Sequence, residues 1–391
     1  ALAVFLLLLL GMMGVSVSAT LALLPAADEK SPYLQNVTQN SIVVMWETVA
    51  PVASKVRYRA QGDKNWTEAG DAGAVTIHET LLGGLDSKTI YEYQVSQNGV
   101  DQWIPASPPV FKLAPDAAQP YRVAVYGDTR TQYDRHARVV QAIIGSAPDI
   151  VLHTGDLVDQ GKNYSAWGQQ FFTPAADLMV DTPIFPVLGN HEYNGSGAMW
   201  YYTFFSLPGN EQWYAFSYGC SRFIGLDTNA DFSPGSPQYT WLNNELQSSA
   251  YLSSTWQIVY FHHPPYTSGL HKGNEEPVAD YLVPLFEQYG VDMVFAGHNH
   301  HYERSYRNGV YYFVAGGGGA PLYGFPNVAL NPFSQLRQKK YHYIALDFNC
   351  PATTLLLNVW DYDGNRLDSL AFFPKNFSIY LPIVLKNSKV L

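Results

Sequence analysis

Five short polar clusters, each closing an apolar run, govern what this chain of 391 residues can become. They are GDTR at Gly127 to Arg130, GDLVD at Gly155 to Asp159, GNHE at Gly189 to Glu192, the pair His262 and His263, and GHNHHYER at Gly297 to Arg304. The runs ahead of them, YRVAVY, DIVLHT, IFPVL, WQIVYF and VDMVFA, have the β-branched and aromatic content of buried strands. Each strand therefore delivers a ligand-type side chain just past its end, which is where open α/β sheets bind their ligands. Glycine stands immediately before Asp128, Asp156, Asn190 and His298, where a sharp turn or a close backbone approach suits a residue without Cβ.

Taken singly, a Gly-Asp pair is a turn and GNHE a loop with a satisfied histidine. A solvated surface has no reason to repeat this pattern at five strand ends. Asp, Asn and His make a mixed oxygen and nitrogen donor set, which suits divalent or trivalent transition ions better than calcium. Two such ions about 3.5 to 4 Å apart can hold an attacking oxygen, neutralise phosphoryl oxygens and stabilise a leaving group.

In order and separation the strings GD, GD, GNHE, HH and GHxH resemble the calcineurin-like metallophosphoesterase superfamily, and GHNHHYERS resembles its purple acid phosphatase branch. The resemblance covers residues 31–375. It implies that Asp156 bridges two metals, that Asp128 and His300 complete one site, and that Asn190, His262 and His298 complete the other. It also implies that His191 faces the phosphate. The ions implied are two transition metals drawn from Fe, Zn and Mn.

Two departures from the family pattern matter. Purple members carry a tyrosine three residues after the bridging aspartate, and here that position is Asp159. Non-purple relatives carry a histidine two residues after the first aspartate, and here that position is Arg130. Asp159 is then a candidate ligand, although a helix cap or a surface carboxylate explains it as well. Arg130 is a candidate bidentate donor to phosphate, against the alternative of a structural ion pair. No purple colour is expected. His301 reads as a neighbour of the site rather than a ligand.

The loop HHPPYTSGLHKGNE carries His271 and Lys272, and by the resemblance His271 falls where the family places a phosphate-contacting or proton-donating histidine. An ordinary loop histidine is the plain alternative. GGGGAPLY at Gly316 to Tyr323 reads as a flexible turn that could wall the site. Tyr193, Trp200, Tyr201 and Tyr266 could stack a leaving group, though packing is the commoner fate of such residues.

Residues 31–112 have a different texture. SIVVMWET, SKVRYRA, TEAG, AVTIHETLLGGL and TIYEYQVSQNG are short alternating strands with polar turns, the pattern of a fibronectin-like or immunoglobulin-like all-β sandwich. A proline and alanine-rich linker over 105–120 leads to residues 121–374, expected to form a two-sheet α/β sandwich, the metallophosphoesterase domain. ARVVQAIIGS and VADYLVPLFEQYG have helical spacing, and HYIALDF, TTLLLNVWD and SLAFFP close the second sheet. Residues 1–27 read as a signal peptide, or as a membrane anchor if uncleaved, and 375–391 as a tail. Two cysteines, Cys220 and Cys350, allow one disulfide.

A net charge of −10 argues against a nucleic-acid groove. The expectation is a secreted, cell-surface or periplasmic phosphatase that cleaves phosphate monoesters of small molecules through a metal-activated hydroxide. Asn190, His191 and Arg130 would hold phosphoryl oxygens and His271 would donate a proton. A phosphodiesterase on nucleotides or phospholipid head groups, and a catalytically weak cell-surface adhesion protein, are the alternatives.

Overall fold

The computed structural model describes residues 29–195, 197–271 and 275–373. The signal or anchor, the tail and Lys272 lie outside the described residues. Among those described, no helix is long and apolar enough to cross a membrane.

The N-terminal β-sandwich is built around one long strand, Ser41–Ala60, whose two halves take different partners. Its first half pairs with Tyr33–Gln35 and its second half with Tyr91–Ser96, while Thr67–Gly83 follows it along both. The pairing with Thr67–Gly83 slips between Glu47 and Val52, across Pro51, which has no N–H to give the ladder. Two strands expected from the sequence are thus one, bent at a proline. Val110–Phe111 pairs with Tyr91 and Glu92, so sheet structure extends into the stretch that reads as a linker.

The α/β part has two facing sheets. In one the order is Arg366–Phe372, Thr354–Asp361, His342–Asn349, Tyr121–Tyr126, Ile150–His153 and Ile184–Pro186. In the other it is Tyr214–Tyr218, Ser221–Gly225, Trp256–Tyr260, Met293–Ala296, Val310–Ala315, Tyr302–Arg307 and Ser334–Gln338. The last three strands of the first sheet are parallel, as are Ser221–Gly225, Trp256–Tyr260, Met293–Ala296 and Val310–Ala315. Parallel central strands covered on both faces explain the unbroken apolar runs of the sequence. They also send all five polar clusters to one rim. Tyr133–Ser146 packs its Val139, Val140 and Ile143 inward as expected. VADYLVPLFEQYG differs from expectation: it divides into Glu275–Tyr281 and Val283–Gln288, because Pro284 cannot extend a helix in progress but suits the first turn of a new one.

The two parts share buried surface. Tyr33 Oη donates to the Phe204 carbonyl at 2.7 Å, Tyr93 Oη to the Val180 carbonyl at 2.8 Å, and Ser206 Oγ to Glu79 Oε1 at 2.7 Å. Cys220 and Cys350 form a disulfide that ties a turn of one α/β sheet to a turn of the other.

Candidate metal centre

The ligand residues themselves hold unusual backbone. Asp128, Asp156 and His298 have φ of 59°, 57° and 68°, the left-handed region that L side chains rarely enter. Two of the glycines that open the clusters, Gly189 and Gly297, answer a different need. A Cβ on Gly297 would lie 2.4 Å from Asp128 Oδ2, and one on Gly189 would lie 2.3 Å from Asp156 Oδ1. Glycine there lets one cluster's backbone press against another cluster's carboxylate.

Two groups of donor atoms result. Asp128, Asp156 and His300 each bring one within 4.8 Å of the others, and so do His262, His263 and His298. Asn190 belongs with the second group: its Oδ1 is 3.1 Å from His262 Nε2 and 3.1 Å from His298 Nδ1, which are 3.2 Å apart. Asp156 joins the two, with Oδ1 at 3.3 Å from His262 Nε2 and Oδ2 toward Arg130.

Ring orientation decides whether these histidines can bind a cation. His262 Nδ1–H donates to the Thr154 carbonyl at 2.9 Å, and His300 Nδ1–H to the Pro321 carbonyl at 2.8 Å. Each is left with its Nε2 lone pair aimed at the centre, the arrangement that ligating histidines need. Burial, then the neighbouring imidazoles, holds the pKa of His262 and His298 far below the usual histidine range, so both are neutral. His300 Nε2 lies 3.4 Å from Asp128 Oδ1. Burial pushes the Asp128 carboxyl up, against the pull of His300. Two buried carboxylates beside the neutral imidazoles of His262 and His298 make a mixed oxygen and nitrogen donor set that fits two transition cations.

Arg130 and Asp159 sit beside the first group. Arg130 Nε is 3.2 Å from Asp156 Oδ2, Nη1 is 3.2 Å from Asp159 Oδ1, and Nη2 is 3.5 Å from His300 Nε2. Asp159 is outside the convergent donor set and turns its carboxylate to the guanidinium. His191 Nδ1–H donates to the Asp159 carbonyl at 2.6 Å, with Nε2 at 3.8 Å from Asp156 Oδ2.

His271 is brought to the same rim, its ring centroid 4.9 Å from that of His298 and 5.0 Å from that of Tyr323. The Asn299 side chain brackets it, with Oδ1 accepting the His271 N–H at 3.1 Å and Nδ2 donating to its carbonyl at 3.2 Å. Tyr323 stacks on His300 with centroids 4.0 Å apart, so GGGGAPLY does wall the centre. Tyr193, Tyr201 and Tyr266 are engaged elsewhere: Tyr193 Oη donates to Asp227, Tyr201 Oη to the Pro186 carbonyl, and Tyr266 packs on Tyr312 and Phe333. Trp200 stacks on Phe204.

Sequence reasoning assigned no part to Glu192, Asn299, His263 or Tyr323. Glu192 could have been found, since it closes GNHE and a buried carboxylate needs donors; the others depend on neighbours remote in the chain.

Comparison with known proteins agrees with this geometry. Residues 121–302 match the calcineurin-like phosphoesterase family, and residues 31–111 match the N-terminal domain of purple acid phosphatases. A phosphoenolpyruvate phosphatase of Allium cepa is 27% identical over 75% of this chain and 67% of its own length. An Fe(3+)-Zn(2+) purple acid phosphatase of Arabidopsis thaliana is 28% identical over 71% of this chain and 66% of its own. The chain thus spans about two thirds of the length of these curated relatives. Among solved structures, a purple acid phosphatase from yellow lupin seeds superposes with a TM-score of 0.77 at 23% identity, covering 87% of this chain and 73% of that one. The two matches, in this order, show that the chain carries a calcineurin-like phosphoesterase domain behind a purple acid phosphatase N-terminal domain, and the candidate metal centre lies in the former.

Proposed function

We propose that the protein is a metal-dependent phosphatase that hydrolyses phosphate monoesters of small molecules outside the cytoplasm. The observation that carries this reading is the pair of donor groups joined through Asp156. Two ions held there, by Asp128, Asp156 and His300 and by Asn190, His262, His298 and Asp156, would supply Lewis acidity and a water acidic enough to attack near neutral pH.

The chain's own residues do the rest. Arg130 spends three of its five N–H groups on Asp156, Asp159 and His300. The Tyr323 side chain also takes a bond from it, and what is left of the guanidinium edge would hold phosphoryl oxygens as negative charge builds on them. His191 is fixed by the Asp159 carbonyl, with Nε2 toward Asp156 Oδ2, and would face the same oxygens. His271, held at its backbone by Asn299, is placed to give a proton to the leaving alkoxide. A disulfide suits an oxidising compartment, which supports placing the activity outside the cytoplasm.

The test is hydrolysis by metal-reconstituted protein of p-nitrophenyl phosphate against bis(p-nitrophenyl) phosphate, before and after chelation. Chelator-sensitive monoester turnover with weak diester turnover is expected. A diester preference would replace the monoester reading, and no turnover of either would leave the adhesion alternative.

A further inference from the structure

His262, His300 and His191 each set Nδ1 against a backbone carbonyl, whereas His263 sets its Nδ1 against a hydroxyl. Its backbone N–H donates to Thr228 Oγ1 at 3.1 Å, and its Nδ1 lies 2.8 Å from the same oxygen. With that oxygen already accepting, the Thr228 hydroxyl proton is free to donate, and Nδ1 is the acceptor it meets. The ring hydrogen of neutral His263 therefore sits on Nε2. Nε2 is buried and has no hydrogen-bond partner among the described residues. The ring faces the centre, its centroid 4.9 Å from that of His262 and 4.5 Å from that of His298. His262 and His300 aim a lone pair inward; His263 aims an N–H.

An inward N–H is wrong for a cation and right for an anion. Asp156 divides the rim: its Oδ1 faces His262 and its Oδ2 faces Arg130 at 3.2 Å. The Oδ2 side thus has a guanidinium for phosphoryl oxygens, while the Oδ1 side has a neutral donor with no acceptor for it among the described residues. A buried donor left without an acceptor is unfavourable unless a ligand supplies one.

We propose that His263 Nε2–H donates a hydrogen bond to an oxygen of the substrate's phosphoryl group, across Asp156 from Arg130. This rests on the phosphatase reading above. Thr228 is a positioning residue in this scheme, since its hydroxyl fixes which nitrogen carries the hydrogen.

The experiment uses the metal-loaded enzyme and compares His263→Ala with His263→Gln, whose amide nitrogen reaches about as far as Nε2. Inorganic phosphate binding by calorimetry, metal stoichiometry and the kcat and KM for p-nitrophenyl phosphate are measured on each. His263→Ala should bind phosphate about ten-fold more weakly or worse, with metal content unchanged, and His263→Gln should recover most of the loss. Unchanged phosphate binding in His263→Ala overturns the proposal, and so does loss of metal, which would make His263 a ligand. Should the variants not fold, imidazole 15N shifts of the wild-type enzyme decide: hydrogen on Nε2 supports the donor role, and hydrogen on Nδ1 overturns it. A wild-type enzyme that neither binds phosphate nor hydrolyses the ester defeats the phosphatase reading and this proposal together. Normal wild-type behaviour with indifferent variants defeats this proposal alone.

Discussion

Glu192 holds the backbone of Asp156 from beneath: its Oε2 accepts the Asp156 N–H at 2.9 Å and the Gly189 N–H at 2.7 Å, and its Oε1 accepts those of Leu157 and Val158 at 2.9 and 3.3 Å. One buried carboxylate thus fixes the GD and GNHE clusters to each other, and with them the left-handed backbone of Asp156. Burial, then the charge of Asp156, pushes the Glu192 pKa up, and the amides pull it back.

That relationship makes Glu192→Gln a severe change despite its small volume. The amide nitrogen would face two backbone N–H donors that need an acceptor, at a cost of about 2 to 4 kcal/mol for the pair. We expect a lowered thermal midpoint and loss of metal from both sites. A Glu192→Gln protein with wild-type midpoint and metal content would show that the carboxylate is not what aligns the clusters.

A second expectation concerns Gly189→Ala. The added Cβ would meet Asp156 Oδ1 at 2.3 Å and Asp156 N at 2.4 Å, and backbone cannot give way as a flexible side chain can. Asp156 should be displaced from the position in which it serves both donor groups. Metal analysis of the purified variant checks this, with two ions per chain as the refuting result.

The convergence of Asp128, Asp156, Asn190, His262, His298 and His300 was legible in the sequence because each is local grammar: an apolar run, a turn, and a donor-type residue at the strand end. What the glycines do was less legible. They read as turn formers, but of the four only Gly155 has a positive φ; the left-handed conformations otherwise fall on Asp128, Asp156 and His298, and Gly189 and Gly297 make room for carboxylates brought from other clusters. Asn299 and His271 are 28 residues apart and Thr228 and His263 35 apart, so nothing in one chain could announce those pairs. The long strand Ser41–Ala60 was hidden by Pro51, which ends a strand in most sequences and here only shifts its register.

The N-terminal sandwich should lose stability in acid through His78. This ring is buried, stacked on Trp46 with centroids 4.4 Å apart, and set between Thr48 Oγ1 at 2.8 Å and Ser54 Oγ at 2.9 Å. Burial lowers its pKa to about 4. The unfolded chain takes up a proton below about 6.5 that the folded chain refuses until about 4, so stability falls as pH drops through that window and levels off below it. The contribution is of the order of 3 kcal/mol. Thermal midpoints of wild type and His78→Gln between pH 7 and pH 4 should converge or cross as this slope is removed. Parallel curves would mean that His78 does not titrate with folding.

Arg130 gives the sharpest test of how the charges at the centre are balanced. Asp156 is buried, and in the absence of ions the guanidinium at 3.2 Å is its nearest compensating charge. Leaving such a carboxylate alone costs about 3 to 5 kcal/mol. Bound cations would replace that compensation. Arg130→Ala should therefore destabilise the metal-free protein strongly and the metal-loaded protein little, while phosphate inhibition of the loaded enzyme weakens because the guanidinium that would face the phosphoryl oxygens is gone. Thermal midpoints with and without chelator, set beside the phosphate inhibition constant, separate the two roles. Equal destabilisation in both states would assign Arg130 a purely structural pairing with Asp159, and an unaltered inhibition constant would remove it from substrate binding.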